Sequence, residues 1–380
     1  MRGVLGLLTA TLVFTSCGTL NTTVPDAPSS WPAAKTAEGQ RLRNQLEEIL
    51  PFLPPEQRIN VQFYDADTAL AYDRVLGEIP LEIGRLDASG SKFVFPNGGK
   101  LNYRNPYRLT AQADCEPYRQ VRSTVGFGGV RGNVRVPYLS DVTGLDQLGE
   151  AAYNYVGLYT NANVGSGGLV EAGFFTASAT SGNFSQDVWY AYETAINNSI
   201  SGVGYNTSAF VVRRDFAALG YAQGFGPGTN VRVDYRVVTR LDAIGNRKSN
   251  TAVTFSIPGT NISKTYLRDF AYAVDPLNLY ASRTTSYLSN THYTGDGSRN
   301  NAWTGVTLQR YTRPDPRTAG TYTDTVWNAQ VTSAGFPINT EGKAATGNPT
   351  CPTDDRLRFN FTETATAGLY DQDTVSIFYQ

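Results

Sequence analysis

Glu171 stands in the middle of an apolar run, Leu169-Val170-Glu171-Ala172-Gly173-Phe174-Phe175, ahead of a hydroxyl-rich stretch and the aromatic group Trp189, Tyr190 and Tyr192. A carboxylate in such surroundings can take a proton from water, provided a second acid is held protonated to assist the leaving group. Glu193, Glu341 and Glu363 are available as that second acid, and no motif selects among them. Noncatalytic binding of a sugar asks for less: an exposed ring to stack on a pyranose face and polar side chains to bond its hydroxyls. Trp189, Tyr190, Tyr192, Trp303 and Trp327 are the candidates for that platform. The competing readings are a solvent-facing or salt-bridged strand residue for Glu171, and a place in the core for each ring.

Other chemistries are hard to build from this chain. It contains 1 histidine, His292, so Ser-His and Cys-His nucleophile systems and histidine metal sites are hard to build. Asp296, Ser298, Asn300 and Asn301 offer oxygen ligands but lack the spacing of a calcium loop, and they read as a polar hairpin turn. GFGGVRG is followed by a strand-like segment rather than a helix, so it lacks the helix N-terminus of a phosphate cradle. We therefore expect no metal and no cofactor. Charged residues make up 17% of the chain and the net charge is -1. With no clustered Lys and Arg to neutralise phosphates, nucleic acid is not an expected partner.

The elements that must carry these residues are strands. From Asn60 onward, segments such as VQFYDAD, NVRVPYL, AFVVRRDF, NVRVDYRVVTRLD, TAVTFSIPG, RLRFNFTET and TVSIFYQ alternate with period two, and FPNGG, FGPGTN and TGDG separate them. At least ten short strands predict an all-β protein, an antiparallel β-sandwich or jelly roll. Leu42, Leu46, Ile49 and Leu50 recur at helical spacing and predict an amphipathic helix stopped by Pro51, docked on the main body. A second short helix is expected around Asp146 to Tyr153. We divide the chain into residues 36–109, a small α+β N-terminal region, and 110–380, the sandwich.

Two resemblances add to this reading. The stretch from about 150 to 275 resembles concanavalin A-like proteins, and VEAGFF is similar to the segment that carries one catalytic glutamate in neprosin-type glutamic peptidases. The resemblance implies that Glu171 works with another carboxylate on a water molecule. The well-known ExDxxE pattern of sandwich-fold glycanases is absent. At the other end, Arg2, the apolar run from Val4 to Phe14, and Thr15-Ser16-Cys17 resemble a bacterial lipoprotein signal, although Phe14 replaces the usual aliphatic residue. The resemblance implies removal of residues 1–16, lipidation of Cys17, a tether over 17–35, and a membrane partner reached through the lipid anchor. With Cys17 assigned to lipid, Cys115 and Cys351 remain as a single expected disulfide, worth roughly 4 to 5 kcal/mol in a chain-entropy view.

These readings combine into a lipid-anchored, extracytoplasmic envelope protein, with noncatalytic binding of a glycan or another extracellular partner expected first. A carboxylate-dependent hydrolase using Glu171 and a purely structural envelope component are the alternatives.

Overall fold

The computed structural model describes residues 31–88, 92–102, 117–160, 168–181, 184, 188–197, 209–213, 224–242, 244–269, 274–289, 293–312, 320–334, 338–341, 356–363, 366 and 368–380. Cys17, Cys115 and Cys351, and with them the expected anchor and disulfide, lie outside these residues, as does His292.

The helix α1 spans Ala37–Ile49. The Thr36 hydroxyl accepts a hydrogen bond from the Gly39 amide at 2.9 Å, satisfying one of the free amides of the first turn. Leu42, Leu46 and Ile49 are fully buried against Phe63, Val238, Ala252 and Leu267. Burial of each such side chain stabilises the fold by about 1.5–3 kcal/mol. The docking helix expected from the apolar spacing is thus present, and a short 3-10 turn, Leu50–Phe52, ends it.

Among the described residues, 22 strands follow in chain order. They are β1 (Val61–Asp65), β2 (Leu70–Asp73), β3 (Gly77–Pro80), β4 (Glu82–Leu86), β5 (Lys92–Val94), β6 (Lys100–Asn102), β7 (Pro117–Arg122) and β8 (Gly129–Arg135). Next come β9 (Val142–Thr143), β10 (Ala151–Thr160), β11 (Gly168–Ala177), β12 (Tyr190–Asn197), β13 (Ala209–Arg213), β14 (Asn230–Leu241), β15 (Arg247–Ser256) and β16 (Ser263–Asp269). The last six are β17 (Leu279–Leu288), β18 (Gly297–Thr312), β19 (Thr321–Val326), β20 (Ile338–Glu341), β21 (Leu357–Glu363) and β22 (Asp373–Tyr379).

They form an all-β sandwich of two sheets. One, of 12 strands, runs β21-β22-β18-β8-β14-β15-β16-β1-β2-β3, with β19 and β9 also paired to β18. The other, of 10 strands, runs β20-β7-β17-β10-β11-β12-β13-β4-β5-β6. Pairing is antiparallel except between β1 and β16, which run parallel. The expected N-terminal region does not stand apart: β1 to β3 extend one sheet and β4 to β6 extend the other, with Leu81 alone between them. The reason is that each short strand satisfies its edge only by joining a larger ladder.

The main core fills the space between the sheets. Val130, Val134, Val233, Tyr235 and Val237 from one sheet meet Val156, Leu158, Val170, Ala172 and Phe174 from the other. Because strand side chains alternate between faces, the odd positions of β10 and β11 point away from this core. There they form a second cluster that includes Tyr153, Tyr155, Tyr159, Phe175, Tyr190, Tyr192 and Phe210. Residues 146–150 form no helix, contrary to the sequence expectation. The buried Glu150 carboxylate accepts hydrogen bonds from the Asp146 and Gln147 amides at 2.8 and 2.7 Å, and Gly149 at φ 96° turns the chain directly into β10.

Candidate functional site

The outer face of the 10-stranded sheet carries Glu171. In the register of β11, Glu171 is opposite Gly157 of β10 on one side and Thr194 of β12 on the other. The next strand out places Ser282 of β17 opposite Gly157, and Arg122 of β7 opposite Ser282. Arg122, Ser282, Gly157, Glu171 and Thr194 therefore form one row across five strands. Strand pleating turns all five side-chain positions to the same face.

Gly157 shapes the middle of this row. A Cβ there would sit 2.6 Å from the Tyr159 ring and hydroxyl, so glycine leaves the space in which that ring folds back across its own strand. The Tyr159 hydroxyl donates to Glu171 Oε1 at 3.0 Å and accepts from Ser282 Oγ at 3.0 Å. Tyr280 stacks on Tyr159 with centroids 5.0 Å apart and planes 6° from parallel. The Arg122 guanidinium lies over Tyr280 at 4.8 Å and over Tyr159 at 5.8 Å. Glu171 is 2% exposed and Tyr159 1%, while Tyr280 and Arg122 are half-buried. The row thus passes from a side that solvent reaches to an enclosed carboxylate.

Tyr192, two residues along β12 from Thr194, adds a phenol to the enclosure. Burial pushes its pKa well above the ordinary value of 10.0, and the negative charge of Glu171 pushes the same way. At neutral pH it stays protonated and able to donate. Among the described residues, the arrangement places one carboxylate beside the Tyr159 hydroxyl and the protonated Tyr192 phenol.

The second carboxylate expected for a diacid site is not delivered by the available glutamates. Glu193 pairs with Ala172 rather than with Glu171, one residue out of phase, and so faces the opposite side of the same sheet. There its carboxylate accepts from the Tyr64 hydroxyl, from the Tyr235 hydroxyl at 3.0 Å and from the Thr251 hydroxyl at 2.7 Å. Glu363 is ion-paired with Arg119, near Asp373 and Arg283. Glu341 is on β20, four strand positions from β11, roughly 19 Å at the usual strand spacing.

The expected aromatic platform is corrected in the same way. Trp189, Trp303 and Trp327 belong to the core between the sheets, with exposures of 0%, 1% and 0%. Trp189 Nε1 donates to the Pro137 carbonyl at 3.2 Å, and Trp303 Nε1 to the Thr285 hydroxyl at 3.2 Å. Tyr190 and Tyr192 share the face of Glu171 but are packed edge-on and face-on against Phe175, Phe184 and Phe210. Stacking on a sugar needs a bare ring face, and apolar neighbours have taken these faces. Sequence reasoning found Glu171 but missed Tyr159, Tyr280, Ser282 and Arg122. The alternation Tyr153, Tyr155, Tyr159 was the available signal for a tyrosine-lined face; nothing local announced Ser282 or Arg122.

Asp296 and its neighbours form a turn. Asp296 Oδ2 accepts from the Tyr293 amide at 3.0 Å, Asn300 donates to Asp141 at 2.8 Å, and Ser298 and Asn301 are buried and bonded to each other. Among the described residues, no group of three or more His, Cys, Asp or Glu side chains is placed to hold a metal ion.

No protein-family model matches the chain, and no curated protein matches its sequence. Among solved structures it is similar to Scytalido-glutamic peptidase with a peptide-based transition-state analog, at 10% identity and a TM-score of 0.32, over 70% of this chain and 98% of that one. A likeness of that size carries no argument about the site.

Proposed function

We propose that the protein is an exported, lipid-anchored hydrolase of amide bonds, with Glu171 as the base that activates water. What supports this reading is a single observation: a nearly enclosed carboxylate whose oxygen is oriented by the Tyr159 hydroxyl, on the face of the sheet turned away from the core.

The chemistry runs without a second acid. Glu171 takes a proton from water as the oxygen attacks the amide carbonyl, and the tetrahedral oxyanion accepts a hydrogen bond from a neutral phenol such as Tyr192. Glu171 then returns the proton to the departing nitrogen, so the carboxylate is regenerated and the products are an acid and an amine. Proton transfer by a positioned group contributes about 10²–10⁴-fold, and a preorganised donor at the oxyanion adds to it.

The test compares casein digestion by the purified wild-type protein and by Glu171→Gln, which keeps the size and the acceptor for Tyr159 but cannot take a proton. We expect a loss of about 10²–10⁴-fold in rate. Equal digestion by the two proteins, or none by the wild type, defeats the reading and returns the site to noncatalytic binding. For the anchor, mass spectrometry of the mature N-terminus is expected to find lipid on Cys17; an unmodified cysteine there removes the anchored part of the proposal.

A further inference from the structure

We propose that Arg122 is the receptor for a carboxylate of the bound peptide, so that the site takes peptides carrying an acidic group within about four residues of the attacked bond. This rests on the amide-hydrolase reading of Glu171.

Arg122 and Glu171 occupy the same cross-strand row, separated by Ser282 and Gly157. Three strand spacings put the two backbones roughly 14 Å apart, the side chains lean towards each other, and an extended peptide at about 3.3 Å per residue covers the span in at most about four residues. The two charged groups are joined by one side chain: the Tyr159 ring lies under the guanidinium at 5.8 Å and its hydroxyl meets Glu171 at 3.0 Å. Arg122 is held in place rather than free to swing, because it stacks on Tyr280 at 4.8 Å and donates to Gln120 Oε1 at 3.2 Å. It is half-buried at the side from which the row is reached, whereas Glu171 is enclosed.

A guanidinium carries a planar fork of N–H donors, which matches a carboxylate better than any other peptide group. An acidic residue bound there would also be kept away from Glu171, which a like charge would disfavour. The same chemistry fits an Asp or Glu side chain and a C-terminal carboxylate.

The test measures binding to the full-length Glu171→Gln protein, in which turnover is blocked. The probes are amidated alanine-based octapeptides with one Asp, their Asn counterparts, and the Asn peptides with a free C-terminal carboxylate. A charge-assisted hydrogen bond predicts roughly 10- to 100-fold tighter binding of the acidic peptides. Preference for the Asp peptides assigns the receptor to a side chain, and preference for the free C-terminus assigns it to the chain end. Adding Arg122→Gln should abolish the preference, and Arg122→Lys should restore part of it. Equal binding of all three peptides, or a preference that survives Arg122→Gln, overturns the proposal. Failure of the parent reading looks different: the wild type would leave every peptide uncleaved while the carboxylate preference persisted. Cleavage without any acid preference would instead sink the receptor and keep the hydrolase.

Discussion

Glu171 and Glu193 occupy neighbouring strands, are 2% and 0% exposed, and face opposite sides of their sheet. Glu193 points between the sheets and takes its donors from the opposite one: Tyr64 of β1, Tyr235 of β14 and Thr251 of β15. Arg213, clamped between the Tyr64 and Tyr266 rings at 4.0 and 4.1 Å, supplies a charge 3.9 Å away. Glu171 points outward and is oriented by a tyrosine of the strand beside it. The contrast teaches that burial alone does not mark a working acid. A carboxylate that bolts two sheets together cannot be spared for chemistry, because removing its charge strands several buried donors at once. One that is held by its own sheet can change its proton without loosening the sandwich.

The largest expected effect lies on the structural side of this comparison. Glu193→Ala leaves Arg213 as an uncompensated buried charge and two phenols without their acceptor, and should cost about 3–5 kcal/mol in urea unfolding. A cost below about 1 kcal/mol would erase the distinction between the two glutamates.

Alkaline pH should act through the same cluster. Burial, chiefly, and the Glu193 charge, secondly, raise the pKa of both Tyr64 and Tyr235 above the ordinary phenol value of 10.0. Below pH 10 both states of the protein hold these protons, so the stabilisation is intact. As pH rises above 10, the unfolded chain releases protons that the folded chain retains, and stability falls by up to about 1.4 kcal/mol per pH unit for each tyrosine. Tyr64→Phe should make the slope of unfolding free energy against pH shallower above pH 10. An unchanged slope means these phenols do not titrate as described.

Tyr159→Phe sharpens the other side. It removes one donor to Glu171 and one acceptor for Ser282, a stability change of about 0.5–1.5 kcal/mol. Casein digestion should slow more than that change in stability explains, since the carboxylate loses its orientation. Glu171→Gln should change unfolding free energy least, by less than about 1 kcal/mol, because the amide oxygen still accepts from Tyr159. If calorimetry finds it as damaging as Glu193→Ala, Glu171 is a structural residue after all.

Much of the architecture was legible in the chain. Period-two alternation in segments such as NVRVDYRVVTRLD is enough to call strands, and Leu42, Leu46 and Ile49 at helical spacing are enough to call α1. The helix expected at 146–153 failed because Glu150 serves backbone amides of its own loop, a contact that apolar spacing does not report. Trp189, Trp303 and Trp327 fit the pattern of exposed rings, but a tryptophan in a strand reads the same whether its face is bare or packed. Glu171 was legible as an acid in an apolar run, whereas its separation from Glu193 was not. Glu171 lies between Val170 and Ala172 and Glu193 between Tyr192 and Thr194, so alternation along one strand leaves open which face is the core.

By itself, the sequence determined that this chain folds largely into strands with a docked helix over 37–49, and that histidine-based chemistry is hard to build from 1 histidine. These follow from local periodicity and from the inventory of side chains. Only the tertiary structure decided that residues 61–102 join both sheets rather than forming a region of their own, because edge strands are completed by partners far along the chain. It also decided that Arg122, Tyr159, Glu171 and Ser282 share one face. Their nearness depends on which strands pair and in which register, and a shift of one residue would turn Glu171 into the core and Glu193 out of it.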